Sequence, residues 1–301
     1  MNIKSDSIVS RYWGNPPNNQ ILGWQSHPYI KSYINRRITG NPNKGMMSYL
    51  KDKWFNSPAE LALTIGCGFG VFERAAIKNE IVNKIHGVDI SENAIKSSLL
   101  KVELEGFSDR VTYAVDDCNA IELRESSIDA CFGMGSIHHI SNLENLFLQI
   151  NRALKPNGIF CMNEYIGPNR FKSSDTVIDL INCFLRSIPD FKRKMINNTN
   201  IIKSNWQPPS QDWFAKFDPS EAVRSEEIFS VVKIYFDVLE FRPFGGSILH
   251  HLLSGIAGNF DEKSLDDRLF LDMVCEMELL LERENLIKSD FAIIVCKPKK
   301  L

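Results

Sequence analysis

The sequence predicts an α/β fold built on a mostly parallel sheet of seven strands, of which the last runs antiparallel. Two observations carry this prediction. From Leu61 onward, short apolar runs alternate with amphipathic stretches, which is typical of strand–helix units around a parallel sheet. The first of these runs ends in a glycine-rich turn at 66–70, as expected where a strand passes sharply into a helix. Additional helical segments before the first strand and after the fifth predict a helical lead-in and a helical cap.

The composition limits the classes of function. Across 301 residues, hydrophobic residues make up 44% and charged residues 24%, which is ordinary for a globular protein and excludes a disordered chain or a coiled coil. The net charge of −2 offers no basic field for a nucleic-acid backbone. The first residues lack the apolar core of a signal peptide, and no apolar stretch is long enough for a membrane span. The seven cysteines show no zinc-site or CxxC spacing, so we expect reduced thiols in a cytoplasmic protein without nucleic-acid or membrane partners.

The lead-in and the strands follow in order along the chain. Residues 1–57 are predicted to be helical, with breaks at the Asn-Pro-Pro of 15–17 and the Gly-Asn-Pro of 40–42. The stretch 154–158, Leu-Lys-Pro-Asn-Gly, predicts a turn before the fifth strand. The seven predicted strands cover residues 61–65, 81–89, 111–115, 128–134, 159–165, 236–241 and 291–296.

The regular alternation lapses after the fifth strand. Residues 168–217 contain a predicted helix at 177–188 and a loop rich in Asn, Pro and Trp, which together predict a cap. Asp218 resembles a helix N-cap, because Pro219 and Glu221 follow it at the positions that favour a helix start. Two helices are expected between the sixth and seventh strands, the second with an apolar face of Leu269, Met273, Met277 and Leu280. The predicted units are therefore 1–57, a core at 58–167, the cap at 168–217, and the remainder of the core at 218–301.

The glycine-rich turn is the most informative motif. Gly66, Gly68 and Gly70 let the backbone turn out of a strand and approach a ligand closely. A dinucleotide fingerprint would need a small residue where Val71 stands, and the Lys-Ser/Thr of a phosphate-binding P-loop is absent.

Two aspartates strengthen the functional interpretation of this turn. Asp89 ends the second strand about twenty residues beyond the turn, where a ribose-binding carboxylate is expected. Asp117 follows the third strand and should lie at the same carboxyl edge of the sheet. Each could alone be an ordinary turn or cap residue, but their joint placement favours a ligand site at that edge.

These motifs make the chain resemble the class I, Rossmann-like methyltransferases that use S-adenosylmethionine (SAM). The resemblance covers residues 58–166 by motif and the remainder by strand order. It implies a Rossmann-like sheet, SAM as the cofactor and S-adenosylhomocysteine as the product. The glycine loop would wrap the methionine part of SAM, Asp89 would hold the ribose hydroxyls, and Asp117 would accept from the adenine amino group. The residues implied to contact the cofactor are Gly66, Cys67, Gly68, Asp89, Ile90, Asp117, Cys118 and Met134.

Thr64 departs from the family pattern. The family usually has an acidic residue two positions before the first glycine, and that acid commonly helps to place the methionine end of SAM. The amino group of SAM then needs another partner, for which backbone carbonyls near Gly66 or Met134 and a side chain of the lead-in are candidates. The lead-in offers three candidate lid residues, although packing or a solvated helix face is the favoured interpretation of each: Trp13, Trp24 and Arg37.

The segment after the fourth strand bears on the acceptor. It lacks the Asn/Asp-Pro-Pro-aromatic signature with which the family methylates bases, and it lacks the clustered acids of metal-dependent members, so we expect neither nucleic acid nor a metal. His138 or His139 could act as a base, and Glu164 could act as a base or as an anchor for an amine. The alternative is that each of these side chains only supports the structure around the site. The remaining candidates, which would contact the acceptor, are Tyr165, Trp213, Arg224 and His250.

The resulting expectation is transfer of a methyl group from SAM to a small molecule by in-line displacement, with oxygen favoured over nitrogen. Aromatic residues of the predicted cap would enclose the acceptor. Three alternatives remain open: a small-molecule N-methyltransferase, a relative that transfers an aminopropyl group, and a non-catalytic SAM-binding regulator or partner subunit. The sequence does not indicate an oligomeric state.

Overall fold

The structure is a computed structural model that describes residues 8–14 and 23–300. The predicted helix break at 15–17 lies outside the described residues. Among the described residues, no helix combines the length and the apolar character that crossing a bilayer would require.

Helices α1, α2 and α3 precede the sheet, which agrees with a helical lead-in. They comprise Ile8–Trp13, Pro28–Thr39 and Met46–Trp54, respectively. Five strands of the sheet and three helices then follow in the order β1 (Ala59–Ile65), α4 (Val71–Lys78), β2 (Val82–Asp89), α5 (Glu92–Leu104), β3 (Val111–Val115), β4 (Ile128–Met134), α6 (Leu143–Ala153) and β5 (Leu154–Tyr165).

Further helices and strands follow β5, in the predicted cap and after it. The cap consists of α7 (Asp175–Ser187), α8 (Asp190–Arg193), the small antiparallel pair β6 (Lys194–Met195) and β7 (Asn198–Ile202), and α9 (Gln211–Lys216). The remainder of the core consists of α10 (Ile228–Tyr235), β8 (Phe236–Gly245), α11 (Leu249–Leu253), α12 (Leu265–Arg283) and β9 (Phe291–Pro298).

The seven-stranded sheet has the order β3-β2-β1-β4-β5-β9-β8. The pairs among β1 to β5 are parallel, whereas β9 runs antiparallel to both β5 and β8. The predicted fold class is therefore confirmed. The strand order reverses between β1 and β4, and ligands of open α/β sheets bind outside the carboxyl ends of the strands at such a point.

Successive residues of the central strands face opposite sides of the sheet, because side chains alternate along a strand. Ala62 and Ala130 belong to a core shared with α2, α3, α4, α11 and α12. Leu63 and Cys131 belong to a second core shared with α6 and α10. Both faces of the sheet are covered, which leaves the carboxyl edge as the place where polar groups can meet a ligand.

The turn predicted at 154–158 lies within β5 as an irregularity. Ile128 pairs with Leu154, whereas Ala130 pairs with Ile159, so the intervening residues loop out of the ladder. The strand therefore begins at Leu154, earlier than predicted, and the Pro and Gly of this stretch fit a bulge as well as they fit a turn.

The predicted helix start at Asp218 is wrong. The chain forms turns here, and α10 begins only at Ile228. The Asp218 carboxylate accepts hydrogen bonds from the Ser220 amide (3.0 Å) and hydroxyl (2.6 Å), and Ala222 has a left-handed φ of 47°, which no helix accommodates. The capping signal of the sequence therefore serves a local turn.

The apolar stripe predicted on the helix between the last two strands is exposed. Leu269, Met273 and Leu280 of α12 face away from the core. The residues of α12 that are buried are Asp267, Leu271, Val274, Cys275 and Glu278.

Candidate active site

The glycine loop joins β1 to α4 at the carboxyl edge of the sheet. Gly66 has a φ of 62°, and an added Cβ there would lie 2.5 Å from the Cβ of Ser136. Gly68 has a φ of 51°, and an added Cβ would meet no atom within 4 Å. Gly66 thus permits close packing between the first and fourth strands, whereas Gly68 borders open space in which a ligand can approach the backbone.

Asp89 ties this loop to the end of β2. One carboxylate oxygen accepts from the Gly68 amide and the other from the Ser91 amide, both at 2.8 Å. Burial raises the pKa of Asp89, and these two amide donors oppose that shift. Because each carboxylate oxygen has a further lone pair, Asp89 can also accept hydrogen bonds from ligand hydroxyls. Ile90, the next residue, is half-buried.

Asp117 and Cys118 lie together after β3, as predicted. One Asp117 oxygen accepts from the backbone amide (2.9 Å) and the side-chain amide (3.0 Å) of Asn119. Burial raises the pKa of the Cys118 thiol to about 12 and also raises that of Cys67. Both thiols are therefore protonated near neutral pH and are poor nucleophiles, so any contact of Cys67 or Cys118 with a ligand is expected through the backbone.

Glu73 is a residue of this region that the sequence analysis missed. It lies in the first turn of α4, and neither carboxylate oxygen has a hydrogen-bond partner although the side chain is fully buried. The buried Thr64 hydroxyl also has no partner. Burial raises the pKa of Glu73 to about 7, against smaller opposing effects of its own backbone amide and of the Thr64 hydroxyl, which lies near the carboxyl without meeting it at hydrogen-bond geometry. The sequence did contain one indication of this residue, because Glu73 follows Gly70 of the glycine loop by three positions.

Glu164, at the end of β5, holds the segment after β4 in place. Its Oε1 accepts from the amides of Ser136 (2.6 Å) and Ile137 (2.7 Å), and its Oε2 accepts from His138 Nδ1 at 2.7 Å. The side chain is fully buried. Glu164 therefore orients His138 and the preceding loop, and its oxygens are already engaged. Met134, which ends β4, is followed by Gly135, where an added Cβ would meet no atom within 4 Å.

His138 lies between two carboxylates. Its Nε2 is 3.5 Å from Oε1 of Glu221, on the opposite side from Glu164. Burial lowers the pKa of His138, but the two carboxylates outweigh burial and raise it to about 10. Burial raises the pKa of Glu221, and its hydrogen bond and charge interaction with His138 reverse this and lower it to about 2. His138 is thus an imidazolium near neutral pH and cannot take up a proton there.

His139 has a different environment. Its Nδ1 is 3.1 Å from the Ser220 hydroxyl and 3.7 Å from Asp218 Oδ2. Burial lowers the pKa of His139, and the positive charge of His138 lowers it further. The ring is therefore neutral near neutral pH, and of the two histidines it is the one that can accept a proton.

Of the three predicted lid residues, one lies at this site and two lie elsewhere in the described structure. Trp13 of α1 lies at this site, because its Nε1 donates to Asp218 Oδ2 (2.9 Å) and its ring meets His139 edge-on at 5.0 Å. Trp24 is buried beside Phe244 and Phe291. Arg37 forms an ion pair with Glu282 at 2.6 Å.

The four predicted acceptor contacts are dispersed. The ring of Tyr165 lies between His138 (6.0 Å) and His250 (6.2 Å). His250 and Trp213 line a cavity of about 840 Å³ under the cap. Arg224 instead pairs with Glu144 and Glu227, each at 2.7 Å, and it does not line this cavity.

Three side chains of the site also have a spacing that could suit a metal ion. Within the part of the chain that the structure describes, ligand atoms of His138, His139 and Glu221 lie within 4.8 Å of one another. A protonated imidazole cannot bind a metal, and the two carboxylates favour the protonated form of His138. The same geometry is thus explained as a network of ion pairs, and the absence of a metal stays a prediction.

Comparison with known proteins identifies the class that this fold and site define. Residues 63–162 match the family model described as "Methyltransferase domain". This part of the chain is a class I, SAM-dependent methyltransferase domain. SAM, the cofactor that the sequence predicts, is the cofactor of that class.

The chain is similar to two curated proteins over part of their lengths. It is 26% identical over 153 residues to sterol 24-C-methyltransferase of Yarrowia lipolytica, a match that covers 51% of this chain and 40% of that protein. It is 33% identical over 108 residues to phosphoethanolamine N-methyltransferase 2 of Caenorhabditis elegans, which covers 36% of this chain and 24% of that protein. The chain thus spans less than half the length of these relatives.

Solved structures share the fold at low identity. Geranyl diphosphate C-methyltransferase of Streptomyces coelicolor, solved with Mg²⁺, geranyl diphosphate and S-adenosylhomocysteine, matches all of this chain and 98% of its own, with a TM-score of 0.55 and 13% identity. Phosphoethanolamine N-methyltransferase 2 of Haemonchus contortus, solved with SAM, matches 91% of this chain and 58% of its own, with a TM-score of 0.52 and 21% identity.

Proposed function

We propose that the chain is a SAM-dependent methyltransferase that transfers a methyl group to an oxygen of a small-molecule acceptor. The observation that carries this proposal is the position of the neutral His139 at the carboxyl edge of the sheet, which also holds the glycine loop and Asp89. The curated relatives include methyltransferases named for carbon and for nitrogen, so the choice of oxygen depends on this chain's own residues.

The cofactor side fits SAM in three respects. Gly68 and Gly135 border open space at the ends of β1 and β4, so a ligand can approach both backbones. Asp89 can accept from ribose hydroxyls while it holds the loop through Gly68. Asp117 follows the neighbouring strand, where its carboxylate can accept from an amino group. SAM supplies an electrophilic methyl group on a sulfonium, and the protein's main contribution to such a displacement is alignment.

His139 is the proposed general base. A hydroxyl must lose its proton at or before attack, and a positioned base contributes about 10²–10⁴-fold to such a reaction. Burial and the charge of His138 keep His139 neutral and able to accept that proton. The Ser220 hydroxyl and Asp218, both near Nδ1, orient the ring and stabilise the imidazolium that forms.

The other polar residues of the cluster have positioning roles in this proposal. Glu164 holds the loop that carries both histidines, and His138 joins Glu164 to Glu221 through its two ring nitrogens. Residues 168–217 form the proposed cap over the acceptor, and Tyr165, His250 and Trp213 form the proposed path from the cap to the histidines. Arg224 is left out of this path because two glutamates occupy its guanidinium.

The decisive experiment is calorimetric titration of the purified chain with SAM and with S-adenosylhomocysteine, followed by acceptor screening for methylated products. Micromolar binding of both ligands and a methylated hydroxyl compound are expected. Asp89→Ala should weaken the binding of both ligands about tenfold or more, because hydrogen bonds to a charged group contribute about 1.5–3 kcal/mol each.

Three outcomes would contradict the proposal. Binding of neither ligand would exclude a SAM-dependent enzyme. Binding without turnover across a broad acceptor panel would instead favour a non-catalytic SAM-binding regulator. Methylation of amines alone would move the acceptor atom to nitrogen.

A further inference from the structure

The cavity under the cap is next to the histidine cluster. Phe171, Trp206 and Trp213 line it together with His250 and His251 of α11. Its volume of about 840 Å³ is in the range of small-molecule sites. Tyr165 contacts Phe171, His250 and His138, so a single ring separates the cavity from the cluster.

The cavity offers no free charge to a ligand. No Asp or Glu occurs among the described residues that line it, and Lys203 is the single lysine or arginine among them. The Lys203 ammonium donates to the carbonyl oxygens of His251 (2.6 Å), Leu252 (3.2 Å) and Ser254 (2.7 Å), which occupies its three hydrogens. Burial also lowers the pKa of Lys203 to about 7. An ammonium would therefore be desolvated here without a counter-charge, which is strongly unfavourable, and a phosphate or carboxylate would meet a lysine whose hydrogens are already donated.

The cavity does offer unused hydrogen-bonding groups. His250 Nδ1 and His251 Nε2 are buried and have no partner. Burial lowers the pKa of both histidines, so each ring is neutral and has one donor and one acceptor nitrogen. Buried polar atoms are nearly always paired in folded proteins, so these two unpaired ring nitrogens beside the cavity are candidate contacts for a ligand. A hydroxyl, which both donates and accepts, matches either nitrogen.

The aromatic walls define the shape of the ligand. Trp206 stacks on His251 with ring centroids 4.1 Å apart, and Phe171 meets both histidines edge-on at 5.5 and 5.7 Å. Rigid flat rings that line a cavity favour a ligand with a ring face of its own.

We propose, on the basis of the proposed function, that this cavity binds the methyl acceptor as a neutral ring compound that bears hydroxyl groups, and that His250 and His251 hydrogen-bond to those hydroxyls. The proposal covers sugar-like and phenolic rings, which share this chemistry. It excludes phosphate esters, carboxylates and amines as the part of the acceptor held in the cavity.

The test uses two matched series of probes on the unmodified chain saturated with S-adenosylhomocysteine. One series is glucose, glucuronate and glucosamine, and the other is tyrosol, para-hydroxyphenylacetate and tyramine. Tryptophan fluorescence reports binding, because Trp206 and Trp213 line the cavity. The Trp206→Phe variant shows which part of the fluorescence change comes from Trp206. The neutral member of at least one series should bind at least tenfold more tightly than its charged partners.

A variant pair tests the histidines. His250→Phe keeps a ring against Tyr165 and Phe171 but removes both nitrogens, and it should weaken the neutral probe about tenfold without changing the affinity for S-adenosylhomocysteine. His86→Phe is the matched control, because this histidine lies on β2 and bonds Thr112 instead.

Several outcomes would overturn the inference. These are equal or tighter binding of a charged probe, the absence of binding by both neutral probes, and an unchanged affinity in His250→Phe. The comparison of probes needs no variant, so it decides the question even if His250→Phe does not fold. Failure of S-adenosylhomocysteine itself to bind would instead contradict the proposed function, and the probes could still be titrated without it.

Discussion

The two halves of the site are built differently. On the cofactor side, polar groups come from consecutive strand–helix units, and the Asp89 carboxylate bonds the Gly68 amide only 21 positions away. On the acceptor side, Trp13 reaches Asp218 across 205 positions, and His139 reaches Ser220 across 81. The first half thus depends on local turns of the backbone, whereas the second is assembled by side chains from distant segments. If this comparison is right, substitutions on the acceptor side should leave the affinity for SAM unchanged, and substitutions on the cofactor side should leave the binding of the acceptor unchanged.

The largest effect is expected from His139→Ala. Removal of the proposed base should lower the turnover rate about 100-fold or more at neutral pH, while the affinity for SAM stays unchanged. Single-turnover rates and calorimetry on the same preparation measure both quantities. Full activity across the pH range would show that no base is needed at this position.

His138→Gln should affect stability more than His139→Ala does, although the two residues are adjacent. It leaves Glu164 and Glu221 without their cation, and breaking a buried ion pair costs about 3–5 kcal/mol. We therefore expect the unfolding midpoint to fall by on the order of 10 °C, because about 1 kcal/mol shifts it by about 2–4 °C in larger domains. Thermal unfolding followed by circular dichroism measures this, and equal midpoints for the two variants would contradict the ion-pair description.

The same ion pairs predict how stability depends on pH. The folded-state pKa of His138, about 10, lies above its ordinary value of 6.5, so its contribution is complete below about pH 6.5 and is lost as pH rises toward 10. The His138→Gln chain should lack this alkaline decline. A parallel decline in both chains would assign the effect to other groups.

A smaller effect is expected from Trp13→Phe. The substitution keeps an aromatic ring against His139 but removes the donor to Asp218, so turnover should fall several-fold with little change in SAM affinity. Trp54→Phe is not a suitable control, because Trp54 is half-buried and donates to Glu240. The adjacent Tyr12→Phe is better matched, and a similar loss in that variant would assign the effect to the packing of α1.

The smallest effect is expected from Glu73→Gln on the cofactor side. The folded-state pKa of Glu73, about 7, exceeds its ordinary value of 4.5, so this carboxyl destabilises the fold progressively as pH rises through that interval. The Gln variant should unfold a few degrees higher at pH 8 and show no gain at pH 4. The exposed Glu103→Gln provides the control, and weaker SAM binding in Glu73→Gln would instead give this carboxylate a role toward the cofactor.

The predictability of the two halves follows their construction. The sheet, the glycine loop and the positions of Asp89 and Asp117 could be predicted because each depends on local spacing along consecutive strands. The predicted bounds of the strands at 111–115 and 128–134 are the observed ones. Exposure of the apolar stripe on α12 could not be predicted, because periodicity identifies a face without identifying what covers it.

The acceptor side was predicted only by residue type. The His138–His139 pair and Glu164 were identified, but their separation into an imidazolium, a neutral ring and an orienting carboxylate depends on Glu221 and Asp218. The pattern at 218–221 predicted a helix cap, and the same side chains serve a turn that meets the histidines. No spacing rule connects these residues, because tertiary packing alone brings them together.

The strand order has a consequence for the time course of folding. β9 lies between β5 and β8, so the latter two cannot be joined in the sheet until β9 has been synthesised. The nascent chain would carry an unpaired edge on β5 over the roughly 125 intervening residues, and such edges invite pairing with other chains. Completion of the sheet is therefore a late, long-range step, and yield in expression should respond to changes in 291–298 more sharply than the activity of the folded protein does.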